Sequence, residues 1–174
     1  MLKVKKGDSE KLSLLYHRYS RRVFGFFYRL TGDGATSEDL VQNLFLRILK
    51  YKHTYAEDGK FETWIFHIAR NIHIDHYKKN SRYRWQEDMG DWEAKLSDHN
   101  NAEVAIEKND ELGMLRKALQ SLSPEKRALI EMTRFQKLKY EQVATLLGVT
   151  ESAVKVRIHR ILKELRQAYL KLEV

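Results

Sequence analysis

The sequence predicts an all-α chain of two small helical domains, and three observations carry that prediction. Apolar residues recur at three-to-four spacing through most of the chain, the period of a helix with one buried face. Proline occurs once, at Pro124, and glycine eight times in 174 residues, which suits helices with short connections better than an all-β chain with many turns. Charge then divides the chain into three. Residues 1–86 carry 17 Lys+Arg against 9 Asp+Glu, residues 87–111 carry 2 against 9, and residues 112–174 carry 13 against 6. We therefore expect a first helical domain at 1–86, an acidic linker at 87–109 and a second helical domain at 110–174.

The first long helix should start after Gly7-Asp8-Ser9 and run to Gly32. Leu12, Leu15, Tyr16, Tyr19, Val23, Phe26, Phe27 and Leu30 keep the helical spacing, and Gly32 sits where a left-handed stop is expected. The second is expected to open near Thr36-Ser37-Glu38-Asp39, with capping groups and carboxylates at the positive end of its dipole. Leu40, Val41, Leu44, Phe45, Ile48 and Leu49 form its buried stripe. Its opposite face carries Asp39, Gln42, Asn43, Leu46 and Lys50, with Arg47 at the edge. Leu46 is an apolar residue in a polar stripe, a weak sign of a partner surface.

The third helix should span about Lys60 to Asn80. Phe61, Ile65, Ile68, Ala69 and Ile72 make its core face, while Thr63, Phe66, Arg70, His73 and Tyr77 form a second face. That second face either packs under another helix, the favoured reading for Phe66, or meets a ligand. Beyond it come Lys78, Lys79, Asn80, Arg82, Tyr83, Arg84 and Trp85. Aromatic and basic groups interleaved in this way can stack unpaired bases while holding phosphates.

In the second domain a helix is expected over about Asp110–Ser121, with Leu112, Leu115, Leu119 and Leu122 on one face. The next begins at Ser123-Pro124-Glu125, with serine as cap and proline at the first helical position. Tyr140 to Leu165 then reads as a helix-turn-helix. Val143, Ala144 and Leu147 point inward from a short first helix, Gly148 makes the turn, Thr150 caps the second helix, and Val154, Ile158, Ile161 and Leu165 anchor it. At about 100° per residue, the outer face of that helix shows Ser152, Lys155, Val156, His159, Arg160 and Lys163. Lys155 can reach guanine edges and Val156 a thymine methyl. Arg157, at the margin of the buried face, is placed for phosphate, and Lys163 and Arg166 also suit the backbone.

Other functions find little support. There are no cysteines, so disulfides and cysteine-ligated zinc are excluded, and a reducing compartment fits. No apolar run approaches the ~20 residues of a membrane span, and the N-terminus lacks a signal-peptide pattern. His73 and His76 share a helical turn with Asp75 between them and His67 before them, but no third metal ligand is placed. No Ser/His/Asp set or phosphate loop is present, and no cofactor is expected. The residues alone leave open an autonomous helix-turn-helix regulator with a helical ligand or dimerisation domain, and a helical enzyme using the histidines of 67–76.

Three segments resemble one family. SEDLVQNLFLRILK (37–50) is similar to region 2.2 of the extracytoplasmic-function (group 4) sigma factors of the sigma-70 family. FETWIFHIARNIHIDHYKKNSR (61–82) resembles their regions 2.3 and 2.4, and LQSLSPEKRALIEMTRFQKLKYEQVATLLGVTESAVKVRIHRILKEL (119–165) resembles region 4. Order, spacing and length agree over nearly all of the chain. The resemblance implies a non-enzymatic transcription initiation factor that works in the cytoplasm, on the nucleoid when bound to polymerase, without inserting into a membrane. Asp39, Gln42, Asn43, Leu46 and Arg47 would bind the β′ clamp helices of core RNA polymerase. Asn71, Tyr77, Lys78, Lys79, Asn80, Arg82, Tyr83 and Arg84 would capture the non-template strand of the minus-ten element. Ser152, Lys155, Val156, Arg157, His159, Arg160 and Lys163 would engage the minus-thirty-five element, while the second domain also touches the β flap. Many members are held by an anti-sigma factor, often membrane-bound. Three positions depart from the family's usual pattern: Asn43 replaces a carboxylate, Lys139 a Ser/Thr cap, and Val156 a smaller residue.

Overall fold

A computed structural model describes the backbone of residues 1–56, 60–88 and 110–173, and the side chains of all of these except 82–88 and 110–112. Most of the described residues are helical, with no strand among them. The helices are α1 (Leu2–Lys5), α2 (Lys11–Thr31), α3 (Gly34–Lys50), α4 (Phe61–Asp88), α5 (Asp110–Gln120), α6 (Pro124–Ile130), α7 (Tyr140–Leu147) and α8 (Glu151–Leu170). A 3-10 turn spans Lys52–Thr54, and α6 passes into a π-helical turn at Glu131–Phe135.

The local chemistry explains most boundaries. Gly32 ends α2 in the left-handed region at φ 76°, with its N–H on the Tyr28 carbonyl. Ser123 and Thr150 cap α6 and α8 by accepting the N–H groups of Lys126 and Ala153, and Pro124 takes the first position of α6. Gly148 makes the turn between α7 and α8 at φ 63°. Lys139, which has no side-chain acceptor, precedes α7. There the Gln142 side chain reaches back, and its Oε1 accepts the Lys139 backbone N–H at 2.9 Å. The weak cap is thus supported from the third residue of the helix.

Several expectations need correction. Helix α3 begins three residues earlier than expected. Asp33, in extended conformation, accepts the Thr36 N–H at 2.6 Å and is the true cap, while Ser37 is buried and bonds the Asp33 carbonyl. The Asp33 side chain can take this role because Gly32 has already reversed the chain. Tyr16 lies outside the core at 44% exposure, its ring tilted against Phe45 at 4.8 Å between centroids. Leu115 is also exposed. Helix α4 continues past Asn80 to Asp88, because neither proline nor glycine interrupts it.

One apolar cluster runs through the molecule. It joins Val23, Phe26, Phe27, Leu44, Ile48, Ile65, Phe66 and Ile72 of the N-terminal half to Met132, Val143, Val154 and Ile158 of the C-terminal half. Phe66 is fully buried, so the second face of α4 does pack under other helices. Helix α4 lies against α2 and α3 on one side and α6 and α7 on the other. Polar links reinforce the second contact. Arg29 of α2 grips Glu131 with Nε and Nη2 at 2.7 to 3.1 Å, and Gln136 Nε2 donates to the same carboxylate at 3.1 Å. Glu131 is 2% exposed, and burial raises its pKa despite the arginine. Gln142 Nε2 donates to Thr63 Oγ1 of α4 at 2.8 Å, and Arg127 Nη1 to the Leu30 carbonyl at 3.3 Å.

His73 sits within this junction at 2% exposure, and neither ring nitrogen has a hydrogen-bond partner in the chain. Burial first, then the nearby positive Arg127 and His76, push its pKa down to about 4, with Glu125 opposing. The folded state thus disfavours the imidazolium, and the unfolded chain takes up the proton first. Stability from the neutral imidazole is therefore present above pH 6.5 and lost as pH falls toward 4. Urea unfolding at both ends of that window should show the wild-type chain losing on the order of 3 kcal/mol more than His73→Leu. Equal losses in the two proteins would show that His73 is not the linked group.

Candidate nucleic-acid interface

Helix α8 presents the clearest surface. Val154, Ile158 and Ile161 fix its inner face on α7 and the core. All seven residues expected to meet duplex DNA, Ser152, Lys155, Val156, Arg157, His159, Arg160 and Lys163, are exposed. They form a largely basic face with one apolar interruption, Val156, at 48% exposure. A helix carrying cations next to an apolar contact fits the width of a major groove.

The first turn holds a residue that was not singled out from the sequence. Glu151 Oε1 pairs with Lys155 Nζ at 2.7 Å, an i,i+4 contact. Both groups are exposed, and the carboxylate raises the Lys155 pKa through its hydrogen bond and charge. The Glu-x-x-x-Lys spacing is visible in the sequence and is the signal that could have found it.

The end of α4 forms a second surface. Tyr77, Lys78, Lys79 and Asn80 are exposed, while Asn71 is half-buried further back and accepts from Arg70 Nη1 at 3.2 Å. The Arg127 guanidinium of α6 lies over the Tyr77 ring at 5.7 Å, and Asn80 Nδ2 lies 3.0 Å from His76 Nε2. Nothing in the sequence signalled the Arg127–Tyr77 contact, which joins residues fifty positions apart. The expected contacts at Arg82, Tyr83 and Arg84, and Trp85 beside them, lie outside the described side chains. So does the acidic linker over 89–109. Burial lowers the pKa values of His67 and His76 as well as His73, so all three favour the neutral form. Among the described residues no group of three His, Cys, Asp or Glu side chains is placed to hold a metal.

On α3, Asp39, Gln42, Asn43 and Leu46 are exposed together, and Leu46 stands out at 67% exposure. Arg47 is half-buried. It donates to Asn43 Oδ1 at 3.2 Å and pairs with Asp75 of α4 at 3.0 Å, so it fixes the edge of this face to the neighbouring helix. No described helix is long and apolar enough to cross a membrane.

Comparison with known proteins assigns the chain to a class. The family model for Sigma-70 region 2 matches residues 15–83, and that for Sigma-70, region 4 matches residues 112–165. The chain is thus a two-module, sigma-70-type protein. The extracytoplasmic-function sigma factor SigL of Mycobacterium tuberculosis (strain H37Rv) is 32% identical over 165 residues, covering 92% of this chain and 89% of that protein. SigX of Bacillus subtilis is 30% identical over 167 residues, with 91% and 83% covered. This chain belongs to the extracytoplasmic-function RNA polymerase sigma factors, a family of initiation factors and not of enzymes. SigE of Mycolicibacterium smegmatis is 33% identical over 153 residues, and there the match spans 87% of this chain but 59% of the relative.

Two solved structures share the fold. The sigma factor RpoE bound to the anti-sigma factor NepR, from Bartonella quintana, superposes with a TM-score of 0.67 at 21% identity, covering 95% of this chain and 99% of that one. CnrH in complex with the cytosolic domain of CnrY gives 0.69 at 19% identity, covering 99% and 96%.

A test of the α8 face follows from counterion release. Lys163→Ala should reduce the slope of log K against log salt for duplex binding by about one, uniformly across DNA sequences. Fluorescence anisotropy over a salt series measures this; an unchanged slope would remove Lys163 from the phosphate-contacting set.

Proposed function

We propose that this chain binds core RNA polymerase and directs it to promoters, with its N-terminal module capturing the minus-ten element and its helix-turn-helix reading the minus-thirty-five element. The observation that carries the reading is the exposure of every candidate base- and phosphate-reading residue of α8, in a chain that also exposes Tyr77, Lys78, Lys79 and Asn80 on α4. The family assignment makes polymerase the partner that unites them.

In this reading the modules are residues 1–86 and 110–174, and 87–109 is the acidic connection that threads toward the active-site and RNA-exit channels of the enzyme. Asp39, Gln42, Asn43, Leu46 and Arg47 meet the β′ clamp helices, and the second module meets the β flap. Asn71, Tyr77, Lys78, Lys79 and Asn80, with Arg82, Tyr83 and Arg84, hold the non-template strand. Ser152, Lys155, Val156, His159 and Arg160 read the minus-thirty-five element, while Arg157 and Lys163 hold phosphates. The protein acts in the cytoplasm, at the nucleoid when it is part of the holoenzyme. An anti-sigma factor is a fitting regulator, since one structural relative, RpoE, is a sigma factor in complex with an anti-sigma factor.

The work done is binding work. Each DNA module alone gains little, and polymerase fixes their separation, which raises the effective concentration of the second contact once the first is made. Trapping unstacked bases offsets the few kcal/mol that each disrupted base step costs. No bond to DNA is made or broken by this chain.

Two substitutions separate the parts. Leu46→Asp should abolish stable association with core polymerase while leaving duplex binding by the free chain unchanged. Lys155→Ala should leave polymerase association intact and cut promoter-specific run-off transcription about tenfold, the equivalent of ~1.4 kcal/mol. Co-purification with core enzyme and run-off assays read both effects. Normal polymerase binding by Leu46→Asp would dismiss the α3 face. Specific promoter binding without any association with polymerase would instead favour an autonomous regulator.

A further inference from the structure

We propose that the cavity walled by α2, α5, α6 and the π-helical turn is a binding site for a small amphiphilic carboxylate, an apolar chain that ends in a single negative head. Binding there is independent of the promoter reading above.

The shape and lining of the cavity suit an apolar chain. Its volume is about 270 Å³. Pockets for small ligands begin at ~300 Å³, so a molecule of modest size is what fits. Leu115, Leu119, Ile130 and Phe135 supply much of the wall. Two of them are left open to water, Leu115 at 37% exposure and Phe135 at 48%. Phe135 ends the π-helical turn, which has Glu131 buried at its start and this ring exposed at its finish. Such turns are rare and are found frequently at functional sites. A hydrocarbon chain lying on these residues would remove their apolar surface from water.

Charge selects the head. Three guanidiniums, those of Arg29, Arg116 and Arg127, line the cavity with one carboxylate, Glu131. That carboxylate is already held by Arg29 and by Gln136 Nε2. Among the described residues, neither Arg116 nor Arg127 forms an ion pair. The Arg116 guanidinium lies over the Tyr28 ring at 5.8 Å. Arg127 Nη1 reaches the Leu30 carbonyl at 3.3 Å, and its Nε is buried without a partner. Glu125 acts on Arg127 through space, and even with it counted the cations outnumber the carboxylates. A bound anion therefore meets planar donors that no carboxylate of the wall neutralises. A phosphate monoester is a poorer match than a carboxylate, because its larger charge must sit in the same cavity as Glu131.

Sodium decanoate, kept below the concentration at which it forms micelles, is the probe. Isothermal titration calorimetry on the full-length chain should show saturable binding of one decanoate per chain. Arg116→Gln should weaken it by about tenfold or more, the scale of one charge-assisted hydrogen bond, with far-UV circular dichroism and melting unchanged. Phe135→Ser, at an exposed ring, is a second variant expected to weaken binding, in case the first fails to fold. Lys6→Gln, an exposed cation on α1, should bind as the unsubstituted chain does. Decanol, the same chain without the charge, should bind far more weakly than decanoate. No saturable binding, or several molecules adsorbed per chain, overturns the site. Equal binding by Arg116→Gln and Phe135→Ser overturns its location. Equal binding of decanol overturns the anionic head, and tighter binding of decyl phosphate overturns the carboxylate. None of these outcomes bears on whether the chain directs initiation.

Discussion

Helix α4 is buried from both sides, and this constraint arranges the rest of the molecule. Ile65, Ala69 and Ile72 are fully or almost fully buried and join the core with α2 and α3, while Phe66 and His73 are closed off with the C-terminal half packed nearby. A helix packed on two faces has little side surface left for chemistry. Its exposed side chains must then lie mainly where packing ends, and Tyr77, Lys78, Lys79 and Asn80 lie there. The same packing makes the two modules share a core, so the position of helix α8 depends on a contact made far away in sequence.

That shared core combines rigid apolar anchoring with imperfect polar matching. Met132, Val143 and Ile158 are nearly or fully buried with Phe26 and Phe66, as in any stable domain. The polar groups beside them are less settled. Glu131 accepts from Arg29 and Gln136 yet still has its pKa raised, because desolvation outweighs the pairing. Buried ion pairs commonly behave this way: their loss is costly, but their net contribution is small. Here such a pair acts more as a register mark between two surfaces than as their main source of stability.

Much of this was legible in the sequence because it is local. The helix-turn-helix followed from Gly148, Thr150 and the Val154, Ile158, Ile161 spacing, and each performs the expected part. Ser123-Pro124 marked the start of α6 correctly. Errors arose where two local signals competed or where the determining contact was distant. Asp33 took the cap expected further along because the Gly32 turn brings it into position first. Tyr16 kept the helical spacing but falls on the outer margin of α2. The second face of α4 was recognised as a face, but periodicity cannot say what covers it. Thr63 finds Gln142 seventy-nine residues away, a pairing that no short-range pattern encodes.

The Glu151–Lys155 pair has a consequence for how the recognition helix responds to anions. Lys155 is already paired within its own helix with a carboxylate one turn earlier. An incoming phosphate can share the ammonium, which has three donors, but it then meets the negative charge of Glu151 at close range. A base edge that draws the lysine away and offers a donor to the carboxylate meets no such repulsion, and a cytosine amino group is such a donor. In the promoter reading proposed above, Glu151 in the first turn of α8 is an internal counterion that handicaps indiscriminate polyanion binding more than matched binding, and part of the selectivity then comes from a charge of the same sign as the DNA.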